Sequence, residues 1–110
     1  MSKASKIPTT LRVMAEYSSS GIWAVEAAGG FRHSMIEHST LGLPKTLSTR
    51  FDRWIDQYMQ RVETPEDFDQ ASVVAEGRAL ARELKHFLGG DVRVLYSSEH
   101  NVRVDEEIEL

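Results

Sequence analysis

The sequence contains one compact group of side chains suited to acid–base or metal chemistry. His33, Glu37 and His38 lie within six positions of one another, and Arg32 is adjacent. A metal site would favour two histidines four apart on a helix, or two apart on a strand, with acids in reach. The histidines here are five apart, so we expect imidazoles that face solvent or form local hydrogen bonds. A small hydrolase built on this segment is the third of three functional hypotheses for the chain.

Other catalytic patterns are missing from the sequence. The chain has no cysteine, which excludes disulfides, thiolate zinc sites and cysteine nucleophiles. Gly29-Gly30 and Gly89-Gly90 are turn signals outside any phosphate-binding pattern, and no G-x-S-x-G nucleophile motif occurs. We therefore predict that the protein is not an enzyme and uses no metal, cofactor or small-molecule substrate.

Acidic residues are the most informative surface feature. The net charge is −4, and between Arg50 and Gln70 six acids face three bases. Such a surface repels phosphate backbones and attracts a basic protein. Its charges raise the association rate of that protein more than they raise the affinity. We predict a basic protein partner and no nucleic acid. The charge argument assigns partner binding to Asp52, Asp56, Glu63, Glu66, Asp67 and Asp69.

Tight binding also needs buried apolar anchors beside the charges. Phe31 and Met35 lie in a segment without clear periodicity, so they are less easily placed in a core. Tyr58 lies in the acidic region itself. We predict that these three side chains complete the partner-binding surface.

Two strands and a turn are predicted to open the fold. Leu11–Tyr17 and Ile22–Ala27 alternate as strands do, and Ser18–Gly21 has turn composition. A three-residue loop would place Val13 and Tyr17 on one face with Trp23, whereas a two- or four-residue loop would turn Trp23 to solvent. We therefore predict the three-residue loop. A short third strand near residues 31–36, followed by a loop, comes next.

Two helices are predicted to form the centre of the chain. After Pro44, apolar residues recur at helical spacing. They include Leu47, Phe51, Trp54, Tyr58 and Val62. A second helix runs from about Gln70 to Leu88. Its start is either a capping box at Thr64 or an N-cap at Asp69. Gly77 lies on its apolar stripe and predicts the close approach of another element.

Asp91–Ser97 then returns to strand alternation, with a possible hairpin into Val102–Val104. The order of elements predicts an α+β fold. Its sheet is small and mainly antiparallel, built from an N-terminal hairpin plus a C-terminal strand or hairpin, with two helices packed on one face. We expect a single domain over residues 1–110, with a flexible arm at 1–9 and a frayed acidic end at 105–110. No apolar run approaches the ~18 residues of a membrane span, and no secretory signal is present. We expect a cytoplasmic protein that does not bind membranes.

Several segments together resemble a known group of proteins. They are Leu43-Pro44 at a helix start, Phe51-x-x-Trp54, Asp67-Phe68-Asp69, Glu76-Gly77-Arg78-x-Leu80-Ala81, and a glycine-ended helix followed by a Val-x-Val-x-Tyr strand. Over Leu41–Tyr96 the chain resembles small bacterial immunity proteins of polymorphic toxins, including contact-dependent growth inhibition systems. The resemblance implies a cytoplasmic protein that binds one cognate toxin, often a basic nuclease, and blocks its active site or substrate surface. The alternative is a small regulatory or adaptor module without a toxin partner.

Overall fold

A computed structural model describes residues 9–25, 33–98 and 105–109. The strands are β1 (Thr10–Val13), β2 (Ile22–Val25), β3 (His33–Met35), β4 (Arg93–Ser97) and β5 (Asp105–Ile108), and the helices are α1 (His38–Leu41), α2 (Lys45–Glu63) and α3 (Gln70–Leu88). A 3-10 turn at Pro65–Asp67 joins α2 to α3. The expected N-terminal arm up to residue 8, Phe31, and the strand Val102–Val104 lie outside the described residues.

The strands form one mixed sheet in the order β3-β2-β1-β4-β5. Three neighbouring pairs are antiparallel, and β1 with β4 is parallel. Helices α2 and α3 pack on the face of the sheet that carries Leu11, Val13 and Val94. The predicted α+β class, with a mainly antiparallel sheet and two helices on one face, is confirmed.

The predicted register of the first hairpin is wrong. Val13 lies opposite Ile22, so Ile22 shares its core face and Trp23 points to the helix-free face, opposite Arg12. The connection is a long loop over residues 14–21, closed by the Met14 amide donating to the Gly21 carbonyl at 3.0 Å. Trp23 is not left in solvent, because its indole N–H donates to the Met14 carbonyl at 2.9 Å. That bond removes the reason for choosing the three-residue loop.

The two long helices follow the predicted pattern. Phe51 and Trp54 of α2 and Leu80 and Leu84 of α3 are fully buried. Of the two predicted starts of α3, Asp69 is confirmed as the N-cap and the capping box at Thr64 is wrong, because Pro65–Asp67 forms a separate 3-10 turn. The Ser72 amide and hydroxyl donate to the Asp69 carboxylate at 3.3 and 2.8 Å.

At Gly77, helix α3 lies close to side chains of β4 and α2. A Cβ at this position would lie 2.5 Å from Tyr96 Cε1 and 2.7 Å from Trp54 Cζ2. The predicted close approach is confirmed. The missing side chain lets α3 lie against both β4 and α2.

The expectation that the acidic end frays from residue 105 is wrong for residues 105–108. Strand β5 pairs with β4, and Ile108 lies buried opposite Val94. Its acids are held by arginines of other elements, as in the pair of Arg12 with Asp105. The negative charges of this strand are therefore balanced by arginines of neighbouring elements.

Candidate functional site

The acids singled out on charge form a connected exposed surface. Asp52, Asp56 and Glu63 are separated by four and seven positions on α2, so they share one side of the helix. Glu66 and Asp67 follow in the 3-10 turn, and all five side chains are exposed. We call these five residues the acidic flank. Asp69 is exposed as well, but its carboxylate caps α3, and the hydrogen bonds from Ser72 lower its pKa.

The acidic flank differs from the acids of α3 and β5, because no described residue forms a salt bridge with it. On α3 and β5, arginines pair with carboxylates, as the following contacts show: Arg50 with Glu76 and Glu83, Arg12 with Asp105, Arg78 with Glu106, and Arg93 with Glu107. Within the described ranges, no member of the acidic flank forms a salt bridge. Among the described residues, the acidic flank is thus a run of carboxylates without salt bridges along one side of α2 and the turn that follows it.

Tyr58 links this helix to the β1–β2 loop. Its ring meets that of Tyr17 edge to face, with centroids 5.6 Å apart. The Arg61 guanidinium lies 5.1 Å from the centroid of the Tyr58 ring and donates to its hydroxyl at 2.6 Å. Burial raises the pKa of Tyr58, and the nearby positive charge of Arg61 opposes this effect. Tyrosine and arginine are the side chains most enriched at the energetic centres of protein interfaces.

The other two predicted anchors are not brought to this surface by the described fold. Met35 is 39% exposed on β3 opposite Trp23, on the helix-free face of the sheet. Phe31 lies outside the described residues. Tyr58 is therefore the predicted anchor that shares an element with the acidic flank.

Two apolar residues beside Tyr58 were not predicted to be exposed. Tyr17 was assigned to a core strand face and Val62 to the core stripe of α2. Tyr17 is 49% exposed and Val62 is 62% exposed, because α2 continues past the edge of the core. Helical periodicity gives no sign of where the sheet beneath a helix stops.

His38 has a structural role. Its Nε2 lies 2.9 Å from the Ser20 carbonyl oxygen, which can only accept, so Nε2 carries the proton. Its Nδ1 lies 2.8 Å from the Ser48 hydroxyl, and its ring packs beside Phe51. His38 is hydrogen-bonded, but to residues 10 and 18 positions away rather than within its own segment as predicted. The His33 side chain lies outside the description. His38 thus ties the β1–β2 loop to α1 and α2.

Two features are absent among the described residues. Within residues 9–25, 33–98 and 105–109, no three histidine or acidic side chains converge to hold a metal ion. In the same ranges no helix is long and apolar enough to cross a membrane. What the surface does offer is a run of acids without salt bridges next to exposed aromatic and aliphatic side chains.

Comparison with known proteins identifies the family. The family model described as Serratia CdiI immunity protein-like matches residues 9–99. The chain belongs to this family. The match contains every described element from β1 to β4 and leaves β5 outside it. The comparison with curated proteins found no match, and neither did the comparison with solved structures.

Family membership confirms the resemblance seen in the sequence. The chain is an immunity protein of a contact-dependent growth inhibition system, and membership implies a cognate toxin as its partner. The acidic flank and the tyrosine pair lie inside the matched region, Tyr17 in the β1–β2 loop and the rest on α2 and the 3-10 turn that follows it.

Proposed function

We propose that this CdiI-like immunity protein binds its cognate toxin in the cytoplasm through the acidic flank. The toxin domain is basic and of nuclease type, and the bound immunity protein occludes its active site or substrate surface. The observation that carries the proposal is the run of five exposed acids that form no salt bridge with any described residue. These carboxylates are therefore available to pair with the cations of a basic partner.

Steric and electrostatic occlusion requires no catalytic group in the immunity protein. A nuclease surface must be basic to hold a phosphate backbone, and the same charge attracts an acidic inhibitor. Helix α2 has 19 residues and is about 28 Å long, which suits one side of an interface of roughly 800 Å². The inhibitor would thus compete with the nucleic acid for the same positive surface.

Co-expression with the protein encoded immediately upstream tests the proposal. Cells that produce this upstream protein should survive when the immunity protein is present, and the two chains should purify together. Death of the cells and separate purification would contradict the proposal and favour a regulatory or adaptor role without a toxin partner.

A charge-removal pair then tests the acidic flank itself. The triple variant Asp52→Asn, Asp56→Asn, Glu63→Gln should slow association about ten-fold or more at low salt, because steering scales with opposed charge. The matched control removes three exposed acids elsewhere, through Glu37→Gln, Asp91→Asn and Glu109→Gln. Equal slowing in both triples would show that net charge, not the flank, drives association. Association of the wild type should also slow between low and physiological ionic strength, as the Debye length shrinks to about 8 Å.

A further inference from the structure

An apolar groove lies where the β1–β2 loop meets the second half of α2. It is lined by Tyr17, Ser18, Met59, Val62 and Glu63 and encloses about 190 Å³. Pockets that take drug-sized ligands are usually about 300–1,000 Å³. The groove is therefore of a size for one protruding side chain. We call it the Tyr17 groove.

The loop wall of the groove is held in a fixed shape before any partner arrives. Ser18 has φ 53°, a left-handed conformation that is unfavourable for a residue with a Cβ. The Ser19 hydroxyl donates to the Glu16 carbonyl at 2.9 Å, and His38 holds the Ser20 carbonyl. Backbone strain of this kind is concentrated at functional sites.

Each wall of the groove carries an exposed apolar side chain. Val62 on the helix is 62% exposed and Tyr17 on the loop is 49% exposed, although both are large and apolar. The edge-to-face contact with Tyr58 fixes the Tyr17 ring, so a partner would not have to order it. Preordered aromatic side chains contribute more affinity because less entropy is lost on binding.

Charge at the rim defines the occupant. Glu63 belongs both to the groove and to the acidic flank, and Asp56 and Met59 lie three apart on the same side of α2. An apolar side chain entering the groove would therefore carry its sequence neighbours past exposed carboxylates. Lysine or arginine at those neighbouring positions would meet acids that form no salt bridge with the described residues.

We propose that the Tyr17 groove is the anchor site for the toxin, and that it accepts one apolar side chain flanked by lysine or arginine. This inference rests on the proposed function. The acidic flank governs the rate of association, and the groove governs the rate of dissociation, since charge steers encounters while buried contacts set residence time.

Surface plasmon resonance on the immobilised toxin domain encoded upstream separates these two roles. Val62→Gln and Tyr17→Ala should each raise the dissociation rate about 10- to 30-fold, as expected for an interface anchor, and leave the association rate within about two-fold. The matched control is Phe87→Gln, which replaces another exposed apolar residue, 44% exposed, on α3. That variant should dissociate like the wild type.

Each outcome decides a different point. Unchanged dissociation in both groove variants, with binding and protection by the wild type intact, would overturn the groove and leave the proposed function standing. No binding and no protection by the wild type would overturn the proposed function and the groove with it. Hydrogen exchange on the wild-type complex gives a second measurement that needs no variant to fold. Slowed exchange at residues 17–18 and 59–63 supports the groove, and unchanged exchange there contradicts it.

Discussion

Arg12 of β1 holds Asp105 of β5 across the intervening strand β4, through two hydrogen bonds of 2.9 Å each. The Arg12 side chain is 8% exposed and that of Asp105 is 30% exposed. This pair fixes the edge strand on the helix-free side of the sheet, where no long helix covers it. A charge this deeply buried depends on its partner.

Asp105→Ala should lower the free energy of unfolding by about 3 kcal/mol, because it leaves the buried Arg12 guanidinium without a counter-charge. Urea denaturation measures the loss. The double variant Arg12→Met, Asp105→Ala should recover part of it, since no uncompensated charge is left. Glu107→Ala removes the partner of Arg93 on the exposed edge and should cost much less. A loss for Glu107→Ala as large as that for Asp105→Ala would contradict the argument.

Gly77→Ala should destabilise the fold despite the better helix propensity of alanine. The propensity gain is about 1 kcal/mol. A Cβ at this site would meet the buried rings of Tyr96 and Trp54 at 2.5 and 2.7 Å, and overpacking of a core costs about 1–3 kcal/mol. Subtracting the propensity gain from the overpacking cost leaves a net loss of up to about 2 kcal/mol. Gly90→Ala is the control, because nothing lies within 4 Å of its Cβ position. A stabilised Gly77→Ala variant would show that the contact is not tight.

Tyr96 should make the protein lose stability in strong alkali. Burial raises the pKa of its hydroxyl from 10.0 to about 12. Below pH 10 both the folded and the unfolded chain keep the proton. Between pH 10 and 12 the unfolded chain releases it first, so the free energy of unfolding falls by up to about 2–3 kcal/mol as pH rises. Urea titrations at several pH values measure this slope. Tyr96→Phe should flatten it, and parallel curves for the two proteins would refute the assignment.

His38→Ala should loosen the loop that carries Tyr17. The substitution leaves the Ser20 carbonyl and the Ser48 hydroxyl without their partner and should cost about 1–3 kcal/mol. Hydrogen exchange of the amides at residues 18–21 should become faster than in the wild type. His86→Ala changes an exposed histidine in the last turn of α3 and serves as the control. Equal exchange rates in the two variants would show that His38 does not stabilise the loop.

Local signals in the sequence were sufficient for the two long helices, but not for the short α1, which was expected to be loop. The bounds Gln70–Leu88 and the cap at Asp69 depend on neighbours in the chain, and both are confirmed. The close approach at Gly77 is also confirmed, because a glycine on an apolar helical stripe marks such a contact even when its partners are distant in the chain. The hairpin register depends instead on contacts between distant residues. His38 holds the Ser20 carbonyl, and Trp23 bonds to Met14 across a loop that resembled a tight turn. Strand β5 was missed for the same reason, since its arginine partners come from β1, α3 and β4.

The candidate site was predictable in its charges and not in its shape. Acids such as Asp52 and Asp56 are exposed because charged side chains are rarely buried without a partner, which composition alone indicates. Tyr17 and Val62 fitted apolar periodicities, and only the extent of the sheet decides that they lie beyond its cover. Asp69 was assigned to the partner surface on its charge, yet its side-chain bonds are already used at the start of α3.

The parallel pairing of β1 with β4 bears on how a newly made molecule becomes active. Leu11 lies beside Val94 in the middle of the sheet, so a contact between the early and late parts of the chain closes the core. Helices α2 and α3 can form while the ribosome is still working, but the central ladder must wait until β4 has emerged. Such long-range closure slows folding relative to local structure. When a toxin and its immunity protein are made together, the immunity protein can therefore complete its central sheet only after β4 has left the ribosome.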